Sequence, residues 1–305
     1  ANRKRPIIQI PERVSKRDAF RVELGRNSQF TLDGLMVSGR ALHIRGVGDD
    51  SCPPSVVIRH CTLVPGWSID AHCRPSDADE PSLELRDSSA RVRIEHSILG
   101  SVEVRQNEAL TDPIPIHVSD SVVDATSPKI DAFSGASGCS FAYAALSLAR
   151  TTVIGHTHTH AIELAEDSIF YGYVEVARRQ TGCVRFCYVP PNSRTPRRYE
   201  CQPDLVIGKA AEEAKEKNLT EDEQRVEEEA EARRVEPRFN STRYGSPVYC
   251  QFSFDCASEI TAGADDESEM GVFHDLFQPQ RAANLRVRLN EYVPASADVE
   301  IIFAS

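Results

Sequence analysis

The chain has 305 residues, with 40% hydrophobic and 27% charged residues and a net charge of −11. That length suffices for one large core, or for a domain with an appendage, and the acidic balance disfavours broad nucleic-acid binding, which needs a positive surface. No apolar run approaches the roughly 18 residues of a spanning helix, so no membrane span is expected.

The sequence begins at Ala1, and Asn2-Arg3-Lys4-Arg5-Pro6 is not followed by the apolar stretch of a secretory signal. It reads as a fragment or a processed product of a longer protein. Residues 1–19 form a basic arm, with Arg3, Lys4, Arg5, Arg13, Lys16 and Arg17 against Glu12 and Asp18. Such an arm is either solvated or docked on an acidic partner.

From residue 20 the pattern alternates apolar with polar, as strands with one buried face do. Phe20–Leu24, Phe30–Leu32, Ala41–Arg45, Ser55–Arg59, Leu83–Arg86, Arg91–Glu95 and Val102–Arg105 are the first such runs. Ile116–Val118, Leu146–Leu148, Ala161–Leu164, Val174–Val176 and Cys183–Val189 follow, with irregular loops expected at 65–82, 105–115 and 124–140. A loose motif recurs: a strand-like run ends in an aliphatic residue, two or three mostly polar residues follow, then a small residue and an apolar pair. Its copies are Ile58–Val64, Ile94–Leu99, Val118–Val123, Leu148–Ile154 and Leu164–Phe170, with a weaker one at Leu32–Val37. A unit that cannot bury its own apolar face stacks on copies of itself. The expected fold is therefore all-β, a right-handed parallel β-helix of the pectate-lyase-like kind over 20–206, with Ile58, Ile94, Val118, Leu148 and Leu164 as anchors. A sandwich is the alternative.

Residues 207–237 are a charged helical insertion. Thr220 and Glu223 form a capping box, acids crowd the helix start, and Arg233 and Arg234 sit at its end. Residues 238–305 are a mixed α/β segment expected to cap the last coil. Within it Val248–Phe252 reads as a strand, Pro279 opens a helix with Ala282, Leu285 and Leu289 on one face, and Val299–Phe303 is a final strand.

Four stretches are distinctive: Cys183 to Asp204, Phe239-Asn240-Ser241-Thr242-Arg243-Tyr244-Gly245, Ser268-Glu269-Met270-Gly271-Val272-Phe273-His274-Asp275-Leu276, and Gln278 to Leu285. Together they resemble the C-terminal part of uncharacterised bacterial β-helix proteins encoded beside contractile phage-tail-like injection particles. The first half shares only the repeat pattern, and the charged island looks like an elaboration on that family. The resemblance implies a structural or adhesive role, with other baseplate or fibre proteins as partners and a cell-surface glycan as a further one. It also implies cytoplasmic synthesis and assembly into a particle that is released. It carries over no catalytic residue and no cofactor.

Candidate sites come from the residues themselves. His156, His158 and His160 alternate on a strand and point to one face, so they are a candidate metal set; the plain reading is a surface histidine row. Cys183, Cys187, Cys201, Cys250 and Cys256 could supply structural zinc ligands, buried thiols or one disulfide. The nine cysteines are an odd, scattered number, unlike a secreted disulfide framework. Arg194, Arg197 and Arg198, in a loop stiffened by Pro190, Pro191 and Pro196, could clamp an acidic partner. Asp33, Asp49, Asp50, Asp70, Asp77, Asp79, Glu84 and Asp87 are the acids a glycan-cleaving β-helix would draw on, but loops and turns are where Asp belongs anyway. Trp67 is the single tryptophan, a thin basis for a sugar groove.

Overall fold

Short strands with alternating burial return in parallel on top of one another. The structure, a computed structural model, describes residues 6–11, 20–46, 53–106, 108, 111–136, 141–294 and 297. Most of the expected basic arm, Asp49, Asp50 and the expected strand Val299–Phe303 lie outside these residues.

The first coil holds β1 (Ile7–Gln9), β2 (Phe20–Leu24) and β3 (Gln29–Asp33), and the second β4 (Met36–Ser38), β5 (Leu42–Gly46) and β6 (Ser55–Arg59). The third holds β7 (Thr62–Leu63), β8 (Leu83–Arg86) and β9 (Arg91–Glu95), and the fourth β10 (Ile98–Leu99), β11 (Val102–Arg105) and β12 (Ile114–Ser119). The fifth holds β13 (Val122–Asp124), β14 (Asp131–Gly135) and β15 (Ala142–Ala149), and the sixth β16 (Thr152–Ile154) and the long β17 (His156–Glu166). The seventh holds β18 (Ile169–Tyr171), β19 (Val174–Val176) and β20 (Cys183–Arg185), and β21 (Arg197–Tyr199) begins the next turn.

The first strands of the coils make one parallel seven-stranded sheet, in the order β1-β4-β7-β10-β13-β16-β18. The second and third strands make two more parallel ladders. The N-terminal half of β17 pairs β14 and β19 and its C-terminal half pairs β15 and β20, so the two ladders fuse into one 14-stranded, nearly closed sheet. Every strand pair in these two sheets is parallel, and among the described residues two facing antiparallel sheets do not occur.

Parallel register stacks like on like. In the third ladder Leu32, Ile58, Ile94, Val118, Leu148, Ala165 and Val184 form one inward column. Each aliphatic side chain so buried contributes roughly 1.5–3 kcal/mol, and every coil supplies one to the same column. Leu164, expected as an anchor, is displaced: the register shifts after Leu146, Leu164 pairs Ser147, and Ala165 takes the inward place. The second ladder stacks Phe20, Leu42, Leu83, Val102 and Phe133 in the same way.

The corner between the third and first ladders is the structural form of the sequence motif. Gly34, His60, His96, Asp120, Arg150, Asp167, Phe186 and Glu200 all have left-handed φ there, between 46° and 72°. That conformation is uncommon for non-glycine residues, and the corner N–H groups from Gly34 to Phe186 bond the coil that follows, as His60 N–H does to the Glu95 carbonyl. The small residue after the corner points inward. Cys61, Ser97, Ser121, Thr151, Ser168, Cys187 and Cys201 each donate to the carbonyl two residues back. Several also accept a backbone N–H from the coil before: Cys61 N–H bonds Ser97 Oγ at 3.1 Å, Ser97 N–H bonds Ser121 Oγ at 3.0 Å, and Thr151 N–H bonds Ser168 Oγ at 3.1 Å. A thiol at this place does the work of a hydroxyl, which accounts for three cysteines.

After β21 come α1 (Asp204–Glu216), which buries Val206, Ala210 and Ala214 at helical spacing, and α2 (Glu221–Arg234), which buries nothing. Both bonds of the Thr220/Glu223 capping box are present. Arg234 ties this hairpin to Glu259 at 2.5 Å, next to the short helix α3 (Ser258–Thr261). The segment assigned as a cap runs along the flank of the first ladder: Tyr249 and Cys250 pack with Val122 and Ile154, and Cys256, Ile260 and Met270 pack with Ile169 and Tyr188. Val248–Phe252 forms isolated bridges, Phe239 with Phe252 and Ser241 with Tyr249, and no regular strand. Last comes α4 (Gln278–Tyr292), with proline in its first turn and Leu285, Val287 and Tyr292 exposed.

Candidate functional site

The outer surface of the stack is a set of short charge columns, because parallel register also aligns outward residues. His43, Glu84 and Glu103 align on the second ladder, beside Arg45, Arg86 and Arg105. His43 Nε2 lies 3.1 Å from Glu84, Arg86 bonds the same carboxylate, and Arg105 bonds Glu103 and reaches Glu84 at 3.9 Å. Burial pushes the Glu84 carboxyl up, but the bonds from His43 and Arg86 outweigh it and hold the group at about 2. Among the other acids, Asp33 pairs Arg59 and His60, and Asp70 binds Arg74 and caps its own loop. His60 stacks flat on His96, ring centroids 5.5 Å apart, and Arg150 pairs Asp120 at 2.6 Å along the same corner.

The histidine row does share one face, with Thr157 and Thr159 buried on the other. Its rings are engaged individually. His156 and His158 have centroids 6.0 Å apart, His156 Nδ1 accepts the Tyr173 N–H at 3.0 Å, His158 meets Phe141 edge-on, and His160 meets Tyr143 at 4.9 Å. His158 lies 3.5 Å from Asp131 and 3.9 Å from Glu175. The geometry is that of an aromatic and charged stripe, and among the described residues no three ligand atoms are brought together there.

The arginine loop is divided. Arg194 pairs Glu175 at 3.4 Å. Arg198 continues the inward column after Val184, and its guanidinium bonds Asp204 at 3.0 Å, Thr195 at 2.8 Å and the Ser193 carbonyl at 2.8 Å. It therefore fastens the last strand to the start of α1 and is not a free clamp. Arg197 is exposed. The five cysteines do not converge: Cys187 and Cys201 belong to the corner ladder, Cys183 faces outward on β20, and Cys250 and Cys256 lie in the flanking segment. All seven described cysteines are free thiols.

Sequence reasoning missed the junction between the flank and the first ladder. Tyr249 donates to the buried Asp124 at 2.6 Å. Burial raises Asp124 while the bonds from Tyr249 and Thr126 oppose it, leaving the carboxyl at about 6. Two coil corners further on, Asp167, Asp265 and His274 place one ligand atom each within 4.8 Å of one another. This is the one such group among the described residues. The only sequence signal was that Ser268–Leu276 is distinctive and that Asp167 occupies a corner of the repeat. A groove of about 920 Å³ also opens between the third-coil loop and the flank, lined by His72, Tyr171, Arg238, Phe239 and Arg243. No family model, curated protein or solved structure matches the chain.

Proposed function

We propose that the stack is a right-handed parallel β-helix and that the chain is a non-enzymatic structural or adhesive component of a contractile phage-tail-like particle, in its baseplate, fibre or surface attachment. Strand–connection–parallel strand units turn right-handed in about 98% of cases, and this chain repeats that unit from coil to coil. The observation that carries the functional reading is the engagement of Asp33, Asp70 and Glu84 by neighbouring basic side chains. Glu84, the most buried of the acids a glycan-cleaving groove would use, is held ionised by His43 and Arg86. A general acid must hold a proton near the working pH, and a carboxyl at about 2 does not. What remains is a stack of parallel strands, stiffened by register, with the exposed faces of α2 and α4 as contact elements.

The test is co-purification. Tagged chain expressed with its neighbouring genes is expected to sediment with sheath and tube proteins. Unsaturated sugar products released reproducibly from a polysaccharide panel, and lost in Glu84→Gln, would replace this reading with a lyase.

A further inference from the structure

The group at the corner of the sixth coil is assembled from distant parts of the chain. Asp167 sits at the left-handed corner before β18 and is 5% exposed. Its Oδ1 accepts the Asp265 N–H at 3.0 Å and its carbonyl accepts the Gly271 N–H at 2.7 Å. Val272 N–H bonds Thr152 Oγ1 at 3.1 Å. Gly271 has φ +90°, and a Cβ there would come within 2.6 Å of Thr152 Oγ1. Only glycine lets the flanking loop lie this close to the corner. Three backbone contacts thus fix Asp265 and His274 over Asp167 before any ligand arrives.

His274 supplies the second observation. It is 8% exposed, and its Nδ1 is 3.2 Å from Asp275 Oδ1. With that nitrogen donating to a carboxylate, the lone pair lies on Nε2. Nε2 is buried and makes no hydrogen bond, although Asp266 Oδ1 is 3.3 Å away off the bonding direction. A buried lone pair beside carboxylate oxygens calls for a cation, either a proton on Nε2 shared with Asp266 or a metal ion between them, and the titration below separates the two. The nearest arginines are already engaged, Arg185 with Glu166 and Arg150 with Asp120. Asp265 is exposed, which gives a hydrated ion an entry path.

We propose that Asp167, Asp265 and His274 bind a divalent transition-metal ion that clasps the flanking loop to the sixth coil. One imidazole and two carboxylates suit zinc or its first-row neighbours better than calcium or magnesium, which take oxygen ligands. Asp275 is the orienting partner of the histidine. The proposal is independent of the particle assignment.

The test uses the whole chain stripped with a chelator, then titrated with zinc chloride by calorimetry and followed by thermal melting. One zinc per chain is expected, with a rise of a few degrees in Tm that chelation reverses. Asp265→Asn, an exposed position that leaves the fold intact, and His274→Gln each lose at least tenfold in affinity. The triple change His156→Gln, His158→Gln, His160→Gln leaves binding unaltered. Absence of zinc binding, loss in the triple variant with retention in Asp265→Asn, or stabilisation by magnesium and calcium but not zinc would each overturn the assignment.

Discussion

Replacing Asp124 with Asn changes a single proton and little else. Asp124 Oδ2 accepts from Tyr249 at 2.6 Å and Oδ1 accepts the Thr126 N–H at 2.7 Å. An Asn in the same pose keeps both contacts, its oxygen accepting from Thr126 and its amide donating to the Tyr249 oxygen. The native carboxyl holds its proton up to about pH 6, whereas in the unfolded chain it ionises near 3.8. Between those values the native state binds more protons, so stability falls as pH rises and is level above about 6. The move from 3.8 to about 6 amounts to roughly 3 kcal/mol. Asp124→Asn is therefore expected to match the parent near pH 4 and to exceed it by up to roughly 3 kcal/mol at pH 7 and above. Urea denaturation of both proteins from pH 4 to 8 measures the difference, in which Glu84 at about 2 and Glu269 at about 8 cancel because both proteins carry them. A gap that stays constant across pH 4 to 6 would refute the reasoning.

Other changes test other parts. Ser97→Ala leaves the buried Cys61 N–H without its acceptor and should cost about 1–3 kcal/mol by denaturant melts, whereas Ser97→Cys, a residue the ladder already uses at three corners, should cost less than half as much. Phe133→Ala empties a fully buried place in the second-ladder column and should cost about 3–5 kcal/mol. Thr220→Ala removes the capping box of α2; about 1 kcal/mol of local helix stability is lost, seen as faster amide exchange in α2 with the melting of the stack unchanged.

The coil repeat was legible because parallel stacking writes the same demand into every turn. An aliphatic inward residue, a corner and a small hydrogen-bonding residue recur from Ile58 to Phe170. Strands were missed where that signature was interrupted. β1 lies among basic residues, β14 holds a Phe between Ala and Ser in a stretch that reads as loop, and β21 is Arg-Arg-Tyr. Their partners, not their own composition, make them strands. The β17 register shift was equally hidden, since Leu164 and Ala165 are both acceptable inward residues and only pairing with β15 decides between them. The functional candidates fared differently. His156, His158 and His160 were chosen for spacing along one strand, but a ligand set needs convergence, and these rings pack edge-on against one another and against Tyr173, Phe141 and Tyr143. Asp167 and Asp265 stand 98 residues apart, a separation no local pattern reports.

Where the chain resides tests the particle assignment most directly. A density map of purified contractile particles, from cells expressing the chain with and without a fused marker domain, is expected to show the extra mass at a fixed position on the baseplate or fibre. Intact particles identical in the two maps, with the chain recovered only as free protein, would contradict the account.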